Sequence, residues 1–143
     1  NLELKKTKIK TSLSTMHQRY EFFFNCNHNK ILYNSMVPDR YRIVITRWRL
    51  SCHSLFIETG RYKRPPIERE SRKCLICNIL EDEEHALLFC LAHRHIRLHS
   101  RELLTRYSTI KSLLNPMNSD DIILIAKYIL EIEKNMEALQ MLR

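Results

Sequence analysis

Cys74-Leu75-Ile76-Cys77, followed by His85 and then Cys90, places three thiols and an imidazole within 17 residues, spaced C-x2-C-x7-H-x4-C. A Cys-x2-Cys step lets two thiolates grip one ion from a tight turn, and Cys3His is a standard tetrahedral set for zinc. One Zn2+ is therefore expected, bound by Cys74, Cys77, His85 and Cys90. No fourth cysteine is placed for an iron–sulfur cluster. Four protein ligands leave no open position for water or substrate, so the expected ion is structural and its binding free energy is folding free energy. The competing reading is four residues buried for packing, as free cysteines often are; the spacing favours the metal.

Working outward, the acidic run Glu81-Asp82-Glu83-Glu84 suits the positive end of a helix dipole. A helix from about Asp82 is expected, with His85 in its first turn. A five-residue step along a straight α-helix turns by about 140°. His85 and Cys90 can therefore share one ion only if the helix ends or bends near Cys90. Residues 92–107 read as further helix, with Ile96, Leu103, Leu104 and Tyr107 apolar. Asn115-Pro116 breaks the chain, and Ser119 is expected to cap a long last helix with Asp120 and Asp121 in its first turn. Its stripe is Ile122, Ile125, Ile129, Ile132, Met136 and Leu139. Ile123, Leu124, Tyr128 and Leu130 widen it, so this helix is expected to pack on more than one side or to pair with a partner.

On the N-terminal side, residues 2–25 show a helical stripe, with lysines crowding its start. Pro38 breaks the chain and Asp39 is expected to cap a helix over 40–51, whose stripe is Tyr41, Val44, Ile45 and Trp48. Gly60, the only glycine, is expected at φ > 0. Residues 61–73 read as a basic, proline-broken, extended connector. Cys26 and Cys52 lack partner spacing and are expected to be core thiols. His95 and His99 lie four apart, but without an intervening Glu they make no H-E-x-x-H site. His93, His95 and His99 are expected to be solvated or to face DNA.

The fold class that results is mainly α: a small helical domain built around a CCHC zinc knuckle, with a long C-terminal helix. Its parts are a basic helical segment (1–60), a connector (61–73), the knuckle with its following helix (74–107) and the last helix (115–143). With 143 residues, 44% hydrophobic and 28% charged, the composition is globular, and one compact domain is expected. One glycine and four prolines are too few for an all-β sandwich or barrel. The chain begins at Asn1 within a helical pattern, so a fragment of a longer protein is expected. No signal peptide is expected, the sequence holds no 18-residue apolar run, and its cysteine usage fits a reducing compartment.

The net charge of +8 is uneven: residues 1–73 hold 16 Lys/Arg against 6 Asp/Glu, residues 74–143 hold 8 against 10. Such asymmetry points to one surface that meets a polyanion, with a merely solvated basic face as the alternative. From Arg40 to Lys73 there are 10 basic residues against 3 acidic. The nucleic-acid-contacting candidates are Arg47, Arg49, Arg61, Lys63, Arg64, Arg69, Arg72 and Lys73, since Arg and Lys suit phosphate contact. Tyr41, Trp48, Phe56 and Tyr62 could stack on bases if exposed, although the helical stripe places Tyr41 and Trp48 in the core.

The run from Thr46 to Tyr62, with Arg49, Ser51, His53, Leu55, Ile57-Glu58 and Gly60-Arg61-Tyr62, continues into Arg72, Cys74, Cys77, Glu81-Asp82-Glu83, His85, Leu87-Leu88, Cys90 and Arg97. This pattern resembles the zinc-binding region at the C-terminal end of reverse transcriptases of non-LTR (LINE-type) retrotransposons, over about residues 40–97. The chain departs from it at Ala86 (family Phe), Leu91 (Pro) and His93 (Tyr). The resemblance implies an accessory domain that helps hold template RNA or target DNA for a parent RNA-directed DNA polymerase, inside the cell and in the nucleus. The implied partners are weakly sequence-specific nucleic acid and the parent polymerase domains, with no membrane and no small-molecule substrate. The chain itself is expected not to be an enzyme: it has no Tyr-x-Asp-Asp, and capping accounts for Asp120 and Asp121 after Pro116. A structural or protein-interaction module that docks on the polymerase without touching nucleic acid is the alternative.

Overall fold

Val44, Ile45 and Trp48 recur at helical spacing and are buried, so the helix that carries them, α1 (Asp39–Arg49), lays one face into the core. The computed structural model describes residues 36–141; the expected helix over 2–25 and Cys26 lie outside the described residues. Pro38 occupies the cap position, and its carbonyl accepts from the amides of Tyr41 and Arg42. Asp39 is thus not the cap: it is the first helical residue, and its carboxylate is bound by Arg42. The helix closes with the amide of Cys52 on the carbonyl of Arg47 (2.8 Å) and that of Ser51 on Trp48 (3.2 Å). This is the Schellman arrangement, and Ser51 takes the left-handed position (φ 55°) usually left to glycine.

Two short helices follow the ligand region, α3 (Arg94–His99) and α4 (Arg101–Arg106), separated at Ser100 where the sequence predicted one continuous helix. Before them come α2 (Phe56–Thr59) and 3-10 turns at Gly60–Tyr62 and Arg69–Ser71. After them come α5 (Ile110–Leu113), capped by Thr109, and α6 (Ser119–Gln140). The α6 cap is Asn118, whose side chain accepts from the amide of Asp121 at 2.9 Å; Ser119, the expected cap, is instead the first helical residue. Among the described residues there is no strand, only an isolated antiparallel bridge between Lys73 and Leu80, and no helix is long and apolar enough to cross a membrane. The fold is mainly helical.

The long helix α6 is the spine. Ile122, Ile125, Ile129, Ile132 and Met136 are buried in one cluster with Val44, Ile45 and Trp48 of α1, Ile96 of α3, Leu103 of α4 and Leu113 of α5. Tyr128, on another side of α6, is also buried and donates its hydroxyl to the carbonyl of Leu87. The wide apolar surface is therefore used on two sides, by α1 and by the ligand turn, while Leu124 and Leu130 remain exposed. Trp48 is fully buried and its indole Nε1 donates to Glu133 Oε1 at 2.7 Å. Burying an indole stabilises by about 4–6 kcal/mol in area terms, and this hydrogen bond removes the penalty for its one polar atom.

Candidate metal centre

The first two ligands sit on a tight hairpin. The amide of Cys74 donates to the carbonyl of Ile79 (2.8 Å), that of Asn78 to Cys74 (2.9 Å), and that of Glu81 to Arg72 (2.9 Å). Asn78 makes the reversal at φ 56°, a conformation that Asn tolerates better than most residues. Cys74 and Cys77 face inward from this turn, while Leu75, Ile76 and Ile79 face out.

The other two ligands sit on a π-helical turn, His85–Phe89. Asp82 caps it, its carboxylate accepting from the amide of His85 at 2.8 Å. The amide of Cys90 then donates to the carbonyl of His85 at 2.7 Å, a bond spanning five residues. Such a bond stacks residue i+5 over residue i, which an α-turn does not do. Cys90 leaves the turn extended (φ −60°, ψ 126°). The helix end required near Cys90 is thus present, and the preceding turn is wound more widely than the sequence predicted.

One ligand atom from each of Cys74, Cys77, His85 and Cys90 lies within 4.8 Å of every other. The Cys90 sulfur is 3.8 Å from that of Cys74 and 3.9 Å from that of Cys77. A tetrahedral ion with sulfur bonds of about 2.3 Å sets its thiolates about 3.8 Å apart. Both ring nitrogens of His85 are buried without a hydrogen-bond partner, an arrangement costly to a side chain that binds nothing. Burial lowers the His85 pKa, which favours the neutral imidazole that a metal ligand must be. Burial, helped by the neighbouring Cys74 and Cys77, pushes the Cys90 thiol up to about 12, a cost to the thiolate that a bound cation would offset. The amide of Leu91 supplies further positive polarity, donating to Cys77 Sγ at 3.3 Å. The group can hold one metal ion.

A hydrogen-bonded shell fixes the two ligand turns to the helices. Glu83 is fully buried, and its Oε1 accepts from Ser51 Oγ (2.8 Å) and lies 2.9 Å from His53 Nε2. Glu81 takes the amide of Phe56 on its carboxylate (2.8 Å) and that of Ile57 on its carbonyl (3.1 Å). Asn135 of α6 donates to the carbonyl of Ala92 (3.0 Å) and to His93 Nδ1 (2.8 Å). His93 is therefore not solvated as predicted: burial, with Arg97, His85 and His95 nearby, lowers it to about 4. His95 and His99 are exposed, and so is Cys52, contrary to the expected core thiol.

The predicted basic residues divide into two sets. Lys63, Arg64, Arg69 and Lys73 are exposed on the segment that feeds the hairpin. The others are engaged within the fold. Arg47 lies 3.6 Å from Glu133, Arg49 donates to the carbonyl of Leu114 (3.4 Å), and Arg61 binds Glu58 (3.0 Å). Arg72 turns inward, donating Nε to the carbonyl of Ile67 (2.9 Å) and Nη1 to that of Ile57 (2.8 Å). That explains Gly60, whose φ is −63° rather than positive: a Cβ there would lie 2.9 Å from Arg72 Cγ and Cδ. The connector is folded around this arginine instead of being extended. Of the stacking candidates, Trp48 is core, Tyr41 and Phe56 are half-buried, and Tyr62 is exposed.

Ser51, His53 and Glu83 were visible to sequence reading only as members of a motif, since nothing local pairs residues 30 positions apart; Asn135 and Tyr128 carried no signal beyond their place on the helix. No protein-family profile, no curated protein and no solved structure matches the chain.

Proposed function

We propose that the chain is a zinc-binding accessory domain of a retroelement reverse transcriptase, contacting template RNA or target DNA through a basic surface beside one structural zinc and acting in the nucleus. The observation that carries the reading is the Cys3His quartet with sulfur spacings of 3.8 and 3.9 Å, on a hairpin fed by the exposed Lys63, Arg64, Arg69 and Lys73. Zinc is the ion that this ligand set suits best. Bound there, it would cross-link hairpin and π-turn as a fixed positive centre. Cys74, Cys77, His85 and Cys90 fill a tetrahedron, which leaves no position for a reacting water, so the domain binds and does not catalyse. The quoted motif residues support the family reading because Ser51, His53, Glu58, Gly60, Arg61, Arg72, Glu81, Asp82 and Glu83 all serve the scaffold around the quartet. Phosphate contacts by basic side chains release counterions, so binding to a labelled RNA or DNA oligonucleotide should weaken steeply with salt and depend little on sequence. No binding at low salt, or binding indifferent to salt, overturns the proposal.

The exposed Leu75, Ile76 and Ile79 on the hairpin favour one second reading, a module that docks on another protein domain through this apolar knuckle. Charge reversal at Lys63 and Arg64 separates the two: unchanged nucleic-acid affinity selects docking, and lost affinity selects nucleic-acid contact.

A further inference from the structure

We propose that the α3–α4 face carries a second basic site, a groove in which Arg94, Arg97 and Arg101 take the phosphates of a single nucleic-acid strand. The inference rests on the nucleic-acid reading above and adds to it a surface on the other side of the metal centre from the connector in sequence. The groove has a volume of about 450 Å3 and is lined by Leu91, Arg94, Arg97, Leu98, Arg101 and Leu104, with no acidic residue among the described residues of its walls. Other arginines in this fold find partners: Arg61 binds Glu58, Arg106 binds Asp121, and Arg72 binds two carbonyls. Among the described residues, Arg94, Arg97 and Arg101 make no side-chain hydrogen bond or ion pair. Nη1 of Arg97 is buried on the inner side, near His85, His93 and Tyr128, so only the rest of its guanidinium is offered to the groove. Three adjacent guanidiniums without a counter-charge among the described residues define a place for an anion.

The alternation of charge and apolar surface along the groove selects the anion. Arg94 and Arg97 stand one turn apart on α3 and Arg101 opens α4 beyond the break at Ser100, so the three reach the groove from two helices and can meet more than one phosphate. Arginine forks suit phosphate oxygens. Leu91 and Leu98, both exposed, border the charges with apolar surface on which sugars and base edges can lie. A strand offers this alternation of anion and apolar surface. The groove also depends on the ligand turn: Leu91, which lines it, follows Cys90 and donates its amide to Cys77 Sγ. A metal held by the quartet would therefore help to fix this wall of the groove.

The test is fluorescence anisotropy with a labelled 20-nucleotide single-stranded RNA and the same sequence as DNA, using the zinc-loaded full chain across a salt series. Arg94→Gln/Arg101→Gln alters exposed residues only and leaves Arg97 in its packing. Lys63→Gln/Arg64→Gln/Lys73→Gln is the parallel connector variant. The groove variant is expected to weaken binding on the order of tenfold and to reduce the salt slope by about 1.4, two single-strand phosphate contacts. Wild-type affinity and slope in the groove variant, with weakened binding in the connector variant, overturn the groove and leave the broader reading standing. No binding by the wild-type chain overturns both.

Discussion

The amide of Cys90 donates to the carbonyl of His85, five residues back, at 2.7 Å. That one bond settles how two ligands five residues apart reach a single ion. In an α-turn their side chains would diverge by about 140°; in the π-turn they meet. The turn is held on both sides, by Asp82 at its start and by the hydroxyl of Tyr128 on the carbonyl of Leu87 within it. Single π-turns recur at functional sites, and here the extra width brings His85 and Cys90 to the same point as Cys74 and Cys77.

Cys77→Ser should abolish stoichiometric metal binding. The remaining three ligands leave the hairpin without its grip on the ion, and the half-exposed position of Cys77 means that the substitution creates no core cavity. Metal analysis of the purified chain should read one equivalent of zinc for the wild type and a small fraction of that for the variant. Chelation of the wild type should lower its thermal midpoint, because the bound ion contributes folding free energy. A full equivalent retained by the variant would remove Cys77 from the ligand set.

Ser51 is expected to separate two effects. Its hydroxyl donates to buried Glu83, and its backbone lies at φ 55°. Ser51→Ala loses the hydrogen bond and keeps the strained backbone, so it should cost about 1–2 kcal/mol in urea unfolding. Ser51→Gly loses the same bond and relieves the backbone, so it should be more stable than Ser51→Ala by about 1 kcal/mol. Equal stability of the two variants would mean that the left-handed position stores no strain.

The metal quartet was legible because its residue types are chemically distinctive and their spacing is fixed by the turn that must hold them. The α1 and α6 stripes were legible because burial repeats with the helical period, as Val44, Ile45 and Trp48 show. Caps slipped by one residue at Asp39 and Ser119 because Pro38 and Asn118 are equally able to begin a helix. Gly60 was misread because its requirement is tertiary: it makes room for a side chain 12 positions away, and local sequence has no term for that. The burial of His93 depends likewise on Asn135, 42 residues on.

Gly60→Ala tests that tertiary requirement. The added Cβ would lie 2.9 Å from Arg72 Cγ and Cδ, and Arg72 cannot swing aside without releasing the carbonyls of Ile57 and Ile67. A destabilisation of about 1–3 kcal/mol is expected, as for overpacking elsewhere. In an Arg72→Ala background the same change should cost far less, giving a coupling that a double-mutant cycle reads directly. Additive costs would show that the glycine serves some other need.

Asp121 predicts an acid signature. Burial alone would raise its carboxyl, but hydrogen bonds from Tyr107 (2.5 Å), Arg106 (2.8 Å) and Asn118 (2.9 Å) outweigh burial and lower it below its ordinary 3.8. A carboxyl whose folded value is depressed contributes stability that is present above its unfolded value and lost as pH falls through the folded one. The same carboxyl ties the end of α4 to the start of α6, because Tyr107 also accepts the amide of Met117 at 3.1 Å. Asp121→Asn removes the charge while keeping the shape, and should cost about 1–3 kcal/mol at neutral pH. Taking wild type minus variant at each pH cancels the titration of every other group. That difference should stay level from about pH 7 to 5 and shrink below about pH 4, where the wild-type carboxylate takes up its proton. A difference unchanged at the acid end would show that the ionised form of Asp121 holds nothing together.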